Sequence, residues 1–262
     1  MRNKHLLILA ALLLASPAAA QQHRQPEDHL EPEGAILGGT AFSASYDMLV
    51  RDLLHDAYDM SVDVRMVALP SFVPEYAVGL RSFETTGTGA VKRIARGAPY
   101  RIFVLSPQAQ IWTYESISSL KRGQEQAFDK IGNSRQQAAI TELEAKVPTN
   151  PHDLKIDRCE ADISGVLGDR IVQLWGKMLL ATRYSAQYSA GADGVSYHFS
   201  ASVPKAGMLA GQVWTPDRNS ATSTLVTLAD AMRAVCEKKA TMTELDRLTT
   251  ELEQRLRKGE GR

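Results

Sequence analysis

Ser118 and Lys121 are spaced as S-x-x-K in Ser118-Ser119-Leu120-Lys121, at the start of a predicted helix. This spacing sets an amine one helical turn from a hydroxyl, where it can take the proton and make the oxygen a nucleophile. The same chemistry also needs an S-x-N element and a K-T-G strand. Neither stands in a usable place, because Lys258-Gly259 lies in the C-terminal tail. Two fixed positions in four recur by chance, so the pair carries little weight.

His198 is the second catalytic candidate. Alternation along Val195–Val203 puts Tyr197, Phe199 and Ala201 on one face of a strand, and Ser196, His198, Ser200 and Ser202 on the other. With Asp193 and Asp217 near the ends of neighbouring elements, the polar face has the parts of a general acid/base site. An antiparallel sheet also shows one polar face to water for no catalytic reason, and that reading is the stronger.

Two further patterns are weaker. His55 and Asp59, four apart with Asp52 and Asp56 beside them, could hold a divalent cation on one helix face. A solvated acidic face opposite an apolar stripe explains them better, and no metal site is expected. Residues 87–101 (GTGAVKRIARGAPYR) join glycines to Lys92, Arg93, Arg96 and Arg101, as a phosphate loop would. They satisfy neither G-x-G-x-x-G nor G-x-x-x-x-G-K-[ST]. No G-x-S-x-G elbow occurs, and no cofactor is implied.

The elements that must position these residues follow from periodicity. A helix is predicted from Ser43 to Met60, then strands at Val62–Leu69 and Tyr76–Phe83. Tyr100–Leu105 and Gln110–Tyr114 read as a hairpin, followed by a helix over Ser116–Lys130. Residues 135–147 are rich in helix formers but also alternate; helix is preferred. Asp153–Ile163 is a predicted strand and Ser164–Arg183 an amphipathic helix. A hairpin over Val195–Val203 and Leu209–Thr215 comes next. From about Ser220 a long helix carries Cys236, and its apolar stripe continues through Met242, Leu245, Leu248, Leu252 and Leu256. That last stripe covers about two heptads, too few for a coiled coil, so docking on its own domain is expected. This order lacks regular βαβ alternation. It predicts an α+β fold: a mixed, mainly antiparallel sheet, several packed helices and a long C-terminal helix. Residues 41–262 are expected to form a single domain, with a possible subdivision near 148–151.

The N-terminus reads as a cleavable signal peptide over residues 1–20. Arg2 and Lys4 precede an apolar run from Leu6 to Ala15, and Ala18 and Ala20 supply the small residues before cleavage at Ala20. A run this short does not span a bilayer, which needs about 20 apolar residues. Residues 21–40 read as a flexible polar lead-in. The protein is therefore expected to be exported and soluble, in the periplasm or outside the cell, without membrane insertion after cleavage. In that oxidising setting Cys159 and Cys236 are expected to form a disulfide. Cleavage removes Arg2 and Lys4 from 30 basic residues and leaves 28 against 30 acidic ones. The resulting balance offers no field for nucleic acid. The expected function is binding of a protein or envelope component; the alternative is an envelope hydrolase with a dispersed polar site.

Overall fold

The computed structural model describes residues 29–33, 41–82, 99–126, 130–184 and 193–259. The signal sequence with its cleavage at Ala20, most of the lead-in, and the basic glycine segment up to residue 98 lie outside them.

The fold is α+β and is built on one antiparallel sheet of seven strands. In chain order they are β1 (Glu31–Pro32), β2 (Val62–Pro70), β3 (Tyr76–Ser82), β4 (Tyr100–Pro107), β5 (Ile156–Ile163), β6 (Val195–Val203) and β7 (Gly207–Trp214). Across the sheet they run β1-β7-β6-β2-β3-β4-β5. Strands from both sides of residues 148–151 thus share a single sheet.

Helices cover both faces because the central strands are apolar on both sides. On one face Met66, Val78, Leu80, Ile102, Val104 and Phe199 meet α4 (Gly165–Leu180) and α5 (Ala221–Cys236). Trp175 of α4 sits edge-on to Phe199, ring centroids 5.5 Å apart, and both are buried. The terminal helix α6 (Met242–Gly259) inserts Leu245, Leu248 and Leu252 into the same core. Arg170 of α4 ties it down through Asp246, Thr250 and Glu253. The last apolar stripe therefore docks on its own fold, as its length predicted.

On the opposite face Val67, Ala77, Phe103 and Leu105 pack against α1 (Ala41–Leu53) and the 3-10 turn His55–Tyr58. The helices α2 (Trp112–Gln126) and α3 (Lys130–Glu144) share a small core of Ile117, Ile140 and Val147. Gly79 of β3 faces this side. A Cβ there would collide with the Val64 carbonyl oxygen and the Phe103 ring. Gly79→Ala is expected to destabilise toward the upper end of a range of about 1–3 kcal/mol, read by urea unfolding, because a backbone atom cannot step aside.

Four expectations need correction. Gln110–Tyr114 is not a strand: β4 pairs with β3 and β5, and Trp112 opens α2. Tertiary capping by Glu75, described below, overrides the β-propensity of Ile111, Trp112 and Tyr114. The long helix from Ser220 is two helices. Lys238 at φ 60° ends α5 with a left-handed residue that no glycine announces. The first helix ends at Leu53, so His55 and Asp59 share no helical face, and His55 pairs instead with Asp56 at 3.0 Å. Finally, the lead-in contains β1, which pairs Glu31 with Gln212 and Pro32 with Gly211 and buries Leu30 completely. A two-residue strand shows no period.

The disulfide Cys159–Cys236 is present, Cα atoms 5.9 Å apart, and joins β5 to the end of α5 rather than to the last helix. Its strand β5 is an edge. There Asp157, Arg158, Glu160 and Asp162 are exposed, and charges of this kind deter pairing with a further strand.

Candidate functional site

The layer containing α1 and α2 stands over β2, β3 and β4, and leaves the polar face of β6 and β7 as the floor of a cleft. The register places side chains in rows across it. Val67, His198, Gln212 and Glu31 stand opposite one another in the central row; Leu69, Ser196 and Trp214 form the next. The cleft has a volume of about 1060 Å³. Asp47 and Arg51 of α1 make one wall, and Tyr46, Trp112 and Phe72 supply aromatic surface.

Glu75 builds the corner between these walls. Although fully buried, it accepts three hydrogen bonds: from the Tyr46 hydroxyl at 2.7 Å, and from the backbone N–H groups of Ile111 at 2.7 Å and Trp112 at 2.9 Å. The last two are free donors at the start of α2, where a carboxylate also meets the positive end of the helix dipole. Burial, reinforced by the Glu75 charge, pushes the Tyr46 phenol well above the ordinary tyrosine range and keeps it a donor. The Tyr46 ring then meets Trp112 edge-on at 4.9 Å. A single buried carboxylate thereby orients two aromatic residues of the cleft.

At the mouth, Ser71 holds Gly194 through three hydrogen bonds, its N–H and hydroxyl both donating to the Gly194 carbonyl oxygen at 3.0 Å and its Oγ accepting from the Gly194 N–H at 3.2 Å. These contacts fix Asp193 on the cleft rim. On the floor, His198 Nδ1 lies 3.5 Å from the Glu33 carboxylate, which in turn is 3.8 Å from Arg51. The His198 contact is the main reason the Glu33 carboxyl sits below its ordinary value; burial opposes it, and Arg51 adds to it. A lowered folded value means that Glu33 adds stability above its ordinary pKa of 4.5, lost as pH falls through the folded value. Glu33→Gln is expected to flatten the acid limb of a plot of urea midpoint against pH.

The structure brings together two of the catalytic candidates, His198 and Asp193. Asp217 is not with them: it precedes α5, where its carbonyl oxygen accepts from the Ser220 N–H and hydroxyl, and it does not line the cleft. Ser118 and Lys121 line a different cavity of about 580 Å³. There Lys121 is ion-paired to Glu144 at 2.7 Å, an arrangement that occupies the amine. Glu33, Asp47, Gln212 and Glu75 went unseen in the sequence. Only Asp47 had a signal, its place four residues before Arg51 on the polar side of a helix.

A two-face helical cover on an antiparallel sheet, with one polar end left open, defines an α+β protein with a surface cleft. No protein-family model matches the chain, and no curated protein is similar to it. Among the described residues no helix is long and apolar enough to cross a membrane, and no three His, Cys, Asp or Glu side chains are grouped to hold a metal ion.

Proposed function

We propose that this chain is an exported binding protein whose ligand is a small polar molecule taken into the cleft over β6 and β7. One observation carries the reading. The cleft floor holds Gln212, only 7% exposed, which lines the cavity in the same row as His198. An amide that faces a cavity offers two donors and an acceptor to a polar group bound there. Export is supported by the signal-like N-terminus and is consistent with the disulfide, since such bonds persist in oxidising compartments.

The test is a thermal-shift screen of residues 21–262 against a library of small polar metabolites. At least one compound should raise the melting temperature, and the rise should vanish in Gln212→Ala and Trp112→Ala but persist in Ser118→Ala. An empty screen would overturn the reading.

One feature favours an envelope hydrolase as the second reading. A carboxylate beside an imidazole, as Glu33 stands beside His198, is the pairing that orients a general base, and Ser196 shares the same strand face. Turnover of ester, amide or phosphoester substrates that disappears in His198→Ala would replace binding with catalysis.

A further inference from the structure

Residues 29–33 grip the body of the protein from both faces of the sheet at once. Alternation sends Leu30 to one side and Glu31 and Glu33 to the other. Leu30 is completely buried in the core beside α4, in a seat that only a glycine leaves open. A Cβ on Gly211 would lie 3.1 Å from the Leu30 Cβ and 3.2 Å from the Leu179 side chain. The Leu30 carbonyl oxygen accepts from the Arg183 N–H at 3.0 Å. Glu33 lines the cleft on the opposite face. Its Oε1 stands between His198 Nδ1 at 3.5 Å and Arg51 Nη2 at 3.8 Å. Among the described residues the ladder between these two holds is only two pairs long, and Pro32 has no N–H to give it. The segment is therefore fastened mainly by two side chains, Leu30 in the core and Glu33 in the cleft.

We propose that residues 29–33 are a strap that opens and closes one wall of the cleft as a single unit. Docked, the strap sets a carboxylate against His198 and Arg51. Released, it carries that carboxylate away and opens the β7 side of the cavity beside Gln212, which stands opposite Glu31. Release needs no unfolding of the sheet, because β7 stays paired with β6 from Ser196 opposite Trp214 to Val203 opposite Gly207. A segment with so few ties belongs to the low-stability end of a fold. Its two holds are nonetheless coupled. Leu30 and Glu33 are three residues apart on one short extended segment, so loss of the buried anchor displaces the carboxylate on the far face. The strap does not depend on which molecule fills the cleft.

Amide hydrogen exchange and the His198 ring signals, both followed by NMR in residues 21–262, test the strap. The Arg183 amide reports on docking, because its acceptor is the Leu30 carbonyl. In Leu30→Ala it should exchange at least about thirtyfold faster, the low end for a buried leucine cut to alanine. Met66 and Val78, in the middle of the sheet, should keep their rates. In the same variant the His198 ring signals should move toward their positions in Glu33→Gln, although Leu30 lies on the other face. Glu33→Gln loosens only the half-exposed hold and should speed the Arg183 amide about two- to fivefold, the scale of a partly exposed ion pair. Equal acceleration at Met66, Val78 and Arg183 in Leu30→Ala would mean that the whole domain opens, and would overturn a separable strap. Faster Arg183 exchange with the His198 signals left at their wild-type positions would overturn the coupling of the two holds. An Arg183 amide unaffected by either variant would overturn the docking itself. An empty metabolite screen removes the ligand and leaves the strap standing.

Discussion

Glu75→Leu is expected to lower the unfolding free energy by at least about 3 kcal/mol, because it strands three buried donors at about 1–3 kcal/mol each. The three are the Tyr46 hydroxyl and the N–H groups of Ile111 and Trp112. The apolar side chain also removes the negative charge from the start of α2. Glu75→Gln keeps the shape and one oxygen. That oxygen, in the place of Oε1, still accepts from Tyr46 and Trp112, whereas the new NH2 confronts the Ile111 N–H. Its expected cost is smaller, about 1–3 kcal/mol, for a single stranded donor. Urea unfolding followed by tryptophan fluorescence should rank the proteins wild type, then glutamine, then leucine. A leucine variant as stable as wild type would refute the role given to Glu75. Ligand binding should weaken in both, since Tyr46 and Trp112 lose their common anchor.

Removal of the disulfide is expected to have a comparable effect by a different route. Cys159 and Cys236 are 77 residues apart. Closing a loop of that length restricts the unfolded chain by about 4.5 kcal/mol in the chain-entropy model, and measured losses in small secreted domains run to about 2–5 kcal/mol. The double variant Cys159→Ala, Cys236→Ala should therefore unfold at distinctly lower urea, as should the wild type under reducing conditions. The local signature should be in β5. As an edge strand it pairs, among the described residues, only with β4, and without the bond to α5 its amides should exchange faster than those of β2 or β3. Equal protection in the two proteins would contradict this account.

Much of the architecture could be read in the sequence. The strands at 62–70, 76–82 and 195–203 alternate clearly, and the stripe of α4 and the final leucines are strongly periodic. Failures occurred where a distant residue decides local structure. Nothing near Trp112 announces a helix start, because its cap is a carboxylate more than thirty residues earlier in the chain. Nothing near Lys238 announces a break, because the left-handed turn there uses lysine where glycine is usual. The cleft was half legible for the same reason. The polar face of β6 exposed His198 to view, but Glu33 and Gln212 reach it only through pairing of β1 with β7 and β7 with β6. Of Ser118 and Lys121, the most motif-like residues, Lys121 proved to be held by Glu144.

The strand order has a temporal consequence. The middle of the sheet is closed by β2 against β6, Met66 opposite Phe199, and the first strand closes only against the last. A chain emerging amino end first can join β2, β3 and β4 early, but β2 keeps an edge of unpaired N–H and C=O groups until residues near 200 arrive. Pairings so distant in sequence make for slow folding and leave the early segment open to binding by other chains. Nascent molecules of this protein should therefore remain uncommitted until most of the polypeptide has been made, a state well suited to being handed on as an unfolded thread.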